Sequence, residues 1–427
     1  MIQKLRLDGY RLLDGFEADF GRLTVVIGAN AAGKSSLLES LSLISNGVDW
    51  PVSDVVGVLG GMWSIPNAAR ACDEIGWQLT FEKPSDHGLW SRIPIPDDAP
   101  CTYEARLGRD PQGRVIPRYE CLRYARPRAG HSEPFKMLEV DRHRARIFSP
   151  KTGKLTPFDE PSESSSDGSA LSPGATPIAE SQAQKASLTL AHMRFENEFP
   201  VPTWIRAYFA SFSYYPGFDV SRGSPVRNKP AEFRTHIVLS ASGDNLGTVL
   251  HELLTRHEYR DRAAELTDFL KAAYPQIEHL SAETAFGGEP RVLVRVRERG
   301  LQRPTELWEM SDGMLHFLLL AVALLSPTAT GLITVDEPEA GLHPKLLPIV
   351  ADMIRSASSR TQVLVTTHSP SLLDAFELDN VAVMSREGAA VSWHRPGSRE
   401  TLRRMLDSQL GGTLGELHAS GELEAMA

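Results

Sequence analysis

The chain has 427 residues, of which 41% are hydrophobic and 23% are charged, and this composition excludes disordered, collagen-like and disulfide-scaffold proteins. A chain of this length can bury a large core and predicts two or three structural units. The formal charge of −9 excludes general attraction to polyanions, so any nucleic-acid contact requires a local basic patch.

The cellular compartment is predicted from cysteine usage and apolar runs. Three irregularly spaced cysteines are too few for a disulfide framework or a four-thiolate zinc site, and they favour a reducing compartment. The N-terminal residues begin a strand pattern without a signal region. The longest apolar run, Met314 to Leu325, is shorter than the roughly 20 residues of a membrane span. We therefore expect a cytoplasmic protein.

The first elements form a strand, loop and helix unit. Ile2 to Leu7 alternates like a strand, and Leu23 to Ile27 is a continuous apolar run typical of a strand buried on both faces. From Lys34 the apolar positions recur with a helical period, and the helix is predicted to end near Asn46.

The middle of the chain has a different residue pattern from the first fifty residues. Between about residues 75 and 148, short segments rich in β-forming residues alternate with turn residues and predict an antiparallel lobe. Residues Thr156 to Gln184 are rich in Ser, Pro and acids, and we predict a mobile loop there.

The later part of the chain combines helices and buried strands. Two short helical patterns occupy Asn245 to Ala273 without sustained heptads, so no coiled-coil arm is predicted. The apolar run after Met314 is predicted to be a buried helix. Further strands are predicted at Arg291–Val296, Gly331–Val335, Gln362–Thr366 and Asn380–Met384.

The turn after the second strand matches the phosphate-binding P-loop pattern. Two glycines separated by four residues are followed by Lys and Ser, and the segment lies between a buried strand and a helix, as that pattern requires. Backbone N–H groups and the helix N-terminus would bind phosphates, Lys34 would reach the β- and γ-phosphates, and Ser35 would bind Mg²⁺. The alternative is a fortuitous glycine-rich turn. The predicted nucleotide-binding residues here are Gly28, Ala29, Asn30, Ala31, Ala32, Gly33, Lys34, Ser35 and Ser36.

Two successive acids follow another apolar strand. Asp336 and Glu337 come at the carboxyl end of Leu332–Val335, where open α/β sheets bind ligands. Asp336 would hold Mg²⁺, and Glu337 would orient and deprotonate the attacking water. Alone, the pair would more often be a surface turn; the P-loop favours the catalytic interpretation.

A histidine ends a third strand. His368 follows Val363–Thr367, so its side chain could reach the same sheet edge and hydrogen-bond the γ-phosphate. A lone histidine at a strand end is usually structural. Its place about thirty residues after the acids favours a role at the site.

Together these segments resemble the ATP-binding-cassette ATPases of the SMC, RecF and OLD-type group, the soluble split-cassette branch of AAA-type ATPases. The resemblance rests on Gly28–Ser35, on Asp336-Glu337-Pro338-Glu339 with the residues that follow it, and on Thr367-His368-Ser369-Pro370. It implies that Asp336-Glu337 is Walker B, that Ala340–Pro344 forms the D-loop, and that His368 is the switch. The expected cofactors are ATP and Mg²⁺.

The same resemblance assigns a signature motif. Glu309–Met314 lies before the apolar helix and is similar to the family motif in a Ser-Asp-Gly form. It implies that Ser311 and Gly313 contact the γ-phosphate held by a second subunit. From the residues alone, Ser311 could equally be an ordinary N-cap.

Two features depart from the family pattern. No glutamine can be placed as the Q-loop residue, because Gln78 lies in a predicted antiparallel strand and Phe209–Tyr215 contains none. Only about forty residues follow Met384, too few for the TOPRIM nuclease of OLD-type proteins.

Two basic clusters are weaker signals. One face of a predicted strand carries four arginines and the other face carries valines; the arginines are Arg291, Arg295, Arg297 and Arg299. They would bind a nucleic-acid backbone or simply form a solvated face. Arg142, His143, Arg144 and Arg146 form a second cluster with the same alternatives.

The predicted fold class is α/β, a P-loop NTPase of the ABC-type head with a mixed sheet, an antiparallel β subdomain and a helical lobe. The predicted domains are 1–50, the first part of the cassette; 51–234, the antiparallel lobe and insert; 235–385, the rest of the cassette; and 386–427, a C-terminal tail.

The functional hypothesis is an ATPase that hydrolyses ATP to ADP and phosphate. Two copies would dimerise head to head on Mg-ATP, acting in DNA repair, DNA sensing or anti-phage defence with an effector such as a nuclease or toxin. The alternative is an ATP-dependent scaffold that controls a partner toxin or nuclease without contacting nucleic acid.

Overall fold

A computed structural model of the chain describes most of its residues. The described ranges are 1–67, 73–82, 100–127, 130–141, 144–149, 153–158, 187–194, 199–227, 231–232, 238–285, 291–326, 331–407 and 412–426. The predicted mobile loop lies outside the described residues from residue 159 onward. Arg142 and His143 of the second basic cluster also lie outside them.

The strands occur along the whole described chain. They are β1 (Ile2–Asp8), β2 (Phe16–Asp19), β3 (Leu23–Ile27), β4 (Glu74–Phe81), β5 (Cys101–Arg109), β6 (Val115–Tyr124), β7 (Lys136–Asp141), β8 (Arg144–Ser149), β9 (Lys154–Pro157), β10 (Ser213–Tyr215), β11 (Ala231–Glu232), β12 (Ile277–Ala285), β13 (Arg291–Glu298), β14 (Thr305–Glu306), β15 (Leu332–Asp336), β16 (Gln362–Thr366), β17 (Val381–Glu387) and β18 (Ala390–His394).

The helices concentrate in the second half of the chain. They are α1 (Lys34–Asn46), α2 (Val52–Val58), α3 (Pro200–Ala210), α4 (Leu246–Thr255), α5 (Arg260–Ala273), α6 (Asp312–Leu324), α7 (Leu347–Arg360), α8 (Pro370–Leu373), α9 (Glu400–Asp407), α10 (Leu414–Ser420) and α11 (Glu422–Met426). In the described residues, no helix is both long and apolar enough to cross a bilayer.

Contacts divide the chain into two compact units. The first consists of Met1–Phe20, Glu39–Ala210 and Arg386–Trp393. The second consists of Gly21–Leu38, Ser211–Ser385 and His394–Ala427.

The first unit contains an antiparallel sheet of eight strands in the order β2-β1-β4-β5-β6-β7-β8-β9. This agrees with the antiparallel lobe predicted from the sequence. The segment Met137–Phe148 is two strands, β7 and β8, because the chain reverses near Asp141 and pairs Leu138 with Ile147.

Aromatic side chains fill the core of the first unit. Phe81 of β4 is 1% exposed, and its ring lies 5.6 Å from each of the rings of Tyr208 and Phe209 on α3. Such edge-to-face contacts stabilise the packing beyond the buried area alone. They anchor α3, an element that the sequence patterns did not predict.

The second unit is built around a parallel sheet with the strand order β10-β15-β16-β3-β17. Parallel pairing joins β10 to β15, β15 to β16, β16 to β3, and β3 to β17. Every residue of β3 and β16 is buried, as strands covered on both faces require. The mixed α/β architecture predicted from the sequence is therefore confirmed.

A second sheet and helix α6 complete this unit. Strand β13 pairs with β11, β12 and β14, and its valines at 292, 294 and 296 are buried as the alternation predicts. All residues of α6 from Met314 to Leu324 are buried, which explains its apolar character on every side. The residues 386–427, predicted as a tail, include helices α9 to α11, and Leu414, Leu417 and Leu423 join the core of the unit.

Candidate functional site

The carboxyl ends of three parallel strands meet in one row of the second unit. Asp336, the last residue of β15, is paired in register with Thr366, the last residue of β16. Thr366 is in turn paired with Val26 of β3, two residues before the P-loop. The sheet register therefore brings the three sequence segments to one edge, where parallel sheets bind ligands.

The loop Gly28–Ser35 has the backbone of a phosphate cradle. Gly28, Ala31 and Gly33 have positive φ values of 148°, 63° and 98°. Gly28 cannot be replaced without a shift, because an added Cβ would lie 2.1 Å from the carbonyl oxygen of Met384. The loop leads directly into α1, whose first residue is Lys34.

Lys34 lies inside this loop. Its side chain is buried, and Nζ donates to the carbonyl oxygens of Gly28 at 2.8 Å and Ala29 at 3.3 Å. Burial lowers the pKa of Lys34, while the charges of Glu337 and Asp336 oppose that shift. The two carboxylates are thus electrostatic neighbours of the ammonium group, as expected for residues of one site.

Strand β16 fixes the two acids of the β15 turn. Asp336 Oδ1 accepts a hydrogen bond from the hydroxyl of Thr366. The backbone N–H of Glu337 donates to the carbonyl oxygen of Thr366 at 3.1 Å and to its hydroxyl at 3.2 Å. Glu337 has a φ of 48°, which is rare for a residue with a Cβ, and these contacts hold it there.

His368 lies beside Glu337. Its Nε2 lies 3.8 Å from Glu337 Oε1, so the predicted switch and the predicted catalytic acid are neighbours. Burial, and after it the positive charge of Lys34, lower the pKa of His368, whereas Glu337 opposes the shift. A neutral imidazole is therefore favoured near neutral pH.

Glu339 is a residue of the site that sequence reasoning did not assign. Its Oε1 accepts from the hydroxyl of Thr367 at 2.6 Å and from the backbone N–H groups of His368 at 2.9 Å and Ser369 at 3.1 Å. One carboxylate thus holds the backbone of Thr367–Ser369, called the switch segment, against the turn after β15. The third acid in the run that begins at Asp336 was the available signal for this residue.

Two C-terminal side chains also influence the site. The charge of Glu424 on α11 is among those that oppose the lowered pKa of Lys34, and His418 on α10 contributes to lowering that of His368. His418 Nδ1 is hydrogen-bonded to Glu424 Oε1. Neither residue belongs to a recognisable motif, so neither could be predicted as part of the site.

The donors at the sheet edge fit a phosphate-bound Mg²⁺. Ser35 is exposed at the start of α1, and Asp336 offers carboxylate oxygen, both of the hard oxygen type that Mg²⁺ prefers. Within the described ranges no three His, Cys, Asp or Glu side chains cluster as a metal site. Mg²⁺ is commonly held by one or two protein ligands together with phosphate and water, so no such cluster is required.

Ser311 caps helix α6. Its hydroxyl accepts from the backbone N–H of Met314 at 3.3 Å, so the N-cap interpretation is confirmed. An added Cβ at Gly313 would lie 3.6 Å from the carbonyl oxygen of Gly341, in the predicted D-loop. A contact with nucleotide held by a second subunit remains a prediction.

Two family models match the sequence. Residues 1–87 match a family described as "AAA ATPase domain", and residues 179–374 match one described as "AAA domain, putative AbiEii toxin, Type IV TA system". The two matches include the P-loop, Ser311, Asp336, Glu337 and His368. No curated protein is significantly similar to the chain.

Solved structures of SMC head domains resemble the fold. One is an SMC head bound to the C-terminal winged-helix domain of ScpA, with a TM-score of 0.52 and 14% identity over 92% of this chain and 97% of that chain. Another, from Pyrococcus furiosus and bound to the C-terminal domain of ScpA, has a TM-score of 0.49 and 13% identity over 95% and 99% of the chains. The first of these likenesses establishes the fold. Two segments of the chain therefore resemble AAA-family ATPase domains, and the fold is similar to that of an SMC head domain.

Proposed function

We propose that the chain binds ATP at Gly28–Ser35 and hydrolyses it to ADP and phosphate. Lys34 contacts the phosphates, Glu337 orients and deprotonates the attacking water, and His368 hydrogen-bonds the γ-phosphate. Ser35 and Asp336 would hold Mg²⁺, which neutralises phosphate charge. The observation that supports this proposal is the row formed by Asp336, Thr366 and Val26 at one sheet edge.

We further propose that ATP joins two copies of the chain head to head. Ser311 of each copy contacts the γ-phosphate of the ATP bound by the other copy. Support comes from its position at the N-terminus of a 13-residue helix, where the helix dipole and the first N–H groups attract anions. The nucleotide then acts as the link between the two copies.

The cellular role that we propose is DNA repair, DNA sensing or anti-phage defence with a separate effector protein. The matched SMC head with a TM-score of 0.52 is bound to a domain of another protein, ScpA, which supports a protein partner for this chain. The description of one matched family names a toxin system, which supports an effector of toxin or nuclease type.

The substitution Glu337→Gln tests the ATPase and the dimer together. It removes the base but keeps the size of the side chain, so ATP is bound and not consumed. We expect the variant to double its mass by light scattering with Mg-ATP, to remain a monomer with ADP, and to release almost no phosphate.

Glu377→Gln is the matched control, because Glu377 is an exposed acid of the same unit outside the site. It should retain the phosphate release of the wild type. If Glu337→Gln stays monomeric with Mg-ATP at all concentrations, the proposed dimer is wrong.

The scaffold that controls a toxin or nuclease without contacting nucleic acid is a second candidate. Arg295 forms ion pairs with Glu306 at 3.0 Å and Glu283 at 3.8 Å, and Arg299 lies 3.8 Å from Glu278. These acids weaken the positive field that a DNA-binding face requires. This candidate would be contradicted by salt-dependent DNA binding that is lost when the arginines between Arg291 and Arg299 are replaced by acids.

A further inference from the structure

Arg227 is a buried arginine that the proposed ATPase does not yet use. Its side chain is 6% exposed, although arginine is almost never buried without partners. Nε donates to the carbonyl oxygen of Val220 at 2.7 Å. The rest of the guanidinium group turns toward the residues around Ser311.

Three hydrogen bonds join Arg227 to the start of α6. Nη1 donates to the carbonyl oxygens of Trp308 at 3.2 Å and Met310 at 2.8 Å, and Nη2 donates to Asp312 Oδ1 at 2.6 Å. Met310 and Asp312 are the two neighbours of Ser311. The guanidinium therefore fixes the chain on both sides of the serine, and its planar fork allows these bonds to form together.

The contact with Asp312 also has an electrostatic consequence. The carboxylate of Asp312 is 72% exposed and lies in the first turn of α6, next to Ser311. A carboxylate there repels an approaching phosphate and offsets the attraction of the helix N-terminus. The guanidinium of Arg227, bonded to that carboxylate, compensates its charge.

We propose that Arg227 is a positioning residue for Ser311, which holds the serine in place and cancels the charge of Asp312 so that the helix end accepts the γ-phosphate of ATP bound by a second copy. This inference rests on the proposed ATP-dependent dimer. It adds a residue distant in sequence from all the recognised motifs.

The test compares variants in the Glu337→Gln background. Arg227→Gln keeps polar character but removes the charge, and we expect it to weaken the ATP-dependent dimer about tenfold or more, the scale of one charge-assisted hydrogen bond. ATP binding by the monomer should change less than about twofold. It is measured by equilibrium dialysis at protein concentrations below the dissociation constant of the dimer. Adding Asp312→Asn to Arg227→Gln should restore part of the dimer affinity, because the uncompensated carboxylate is then gone.

Two further variants make the test independent of how Arg227→Gln folds. Asp312→Asn alone replaces an exposed side chain, and with Arg227 present it should leave the dimer as tight as before or tighter. Arg222→Gln is the matched control, since Arg222 is an exposed arginine of the same segment, and its dimer constant should not change.

The outcomes separate the two proposals. If Glu337→Gln itself does not dimerise with Mg-ATP, the proposed dimer is wrong and this inference falls with it. If Glu337→Gln dimerises and Arg227→Gln dimerises equally well, only the role of Arg227 is wrong. The role of Arg227 would also be overturned if Arg227→Gln lost monomer ATP binding and dimerisation to the same extent. A tenfold weaker dimer for Asp312→Asn alone would overturn it as well.

Discussion

At the scale of single residues, the site depends on side chains that hold other side chains. Glu339 accepts three hydrogen bonds from the switch segment, including the backbone N–H of His368. Thr366 holds Asp336 through its hydroxyl and Glu337 through its backbone and hydroxyl oxygens. Such partners determine whether a catalytic group meets its substrate at the required distance.

We predict that Glu339→Ala lowers kcat for ATP hydrolysis by about ten- to a hundredfold with little change in KM. The three donors lose their acceptor and His368 is displaced, while the loop proposed to bind ATP is untouched. Steady-state phosphate release measures both constants. Glu377→Ala, which removes an exposed acid of the same unit, should behave like the wild type. An unchanged kcat in Glu339→Ala would contradict the positioning role.

Residues that act in short contiguous motifs were predictable, and those that act across the sequence were not. The loop from Gly28 and the acids at 336 and 337 each combine a residue pattern with a recognisable strand. Arg227 contacts Asp312, which is 85 positions away, and nothing local to either residue indicates that pairing. Only the fold brings them together.

At the scale of elements, one buried acid joins a strand of the first unit to a distant turn. Glu120 of β6 is fully buried and accepts from the hydroxyl of Tyr103 at 2.8 Å and from the backbone N–H groups of Thr189 at 2.7 Å and Leu190 at 2.8 Å. Burial raises the pKa of Glu120, although these hydrogen bonds oppose the shift. The carboxylate oxygens of Glu120 thus accept hydrogen bonds from donors that would otherwise be buried without partners.

We predict that Glu120→Ala lowers the free energy of unfolding by about 2–4 kcal/mol, because it leaves one hydroxyl and two backbone N–H groups buried without an acceptor. Urea denaturation, followed by tryptophan fluorescence, measures the loss. Glu133→Ala removes an exposed acid of the same unit and should change stability by less than about 0.5 kcal/mol. Equal midpoints for Glu120→Ala and the wild type would exclude the anchoring role.

Strongly apolar elements were predictable from the sequence, and mixed ones were not. Strands β3, β15 and β16 and helix α6 are nearly continuous apolar runs, and their positions agree with the prediction. In strand β12 only Ile277, Leu280 and Ala282 are buried, and an irregularity in the pairing between Ile277 and His279 breaks the alternation by which a strand is recognised. Helices α10 and α11 are short, and only their packing on the core reveals that they are ordered parts of the unit.

At the scale of the whole molecule, charge opposes the association of two copies. Each copy has a formal charge of −9, so two copies repel one another when they approach closely. Salt screens this repulsion beyond about 8 Å at physiological ionic strength. Association through the nucleotide must overcome this repulsion with local contacts at the phosphates. The proposed ATPase site is therefore the feature on which the proposed assembly depends.

The most direct test of the central claim is equilibrium binding of ATP with Mg²⁺ to the purified chain and to Lys34→Ala. We predict one saturable site per wild-type chain and a loss of affinity of about a hundredfold or more in Lys34→Ala, because the buried ammonium is proposed to contact the phosphates. Lys345→Ala, which removes an exposed lysine of the same unit, should bind like the wild type. Equal affinity of Lys34→Ala and the wild type would contradict the assignment of the nucleotide site to Gly28–Ser35.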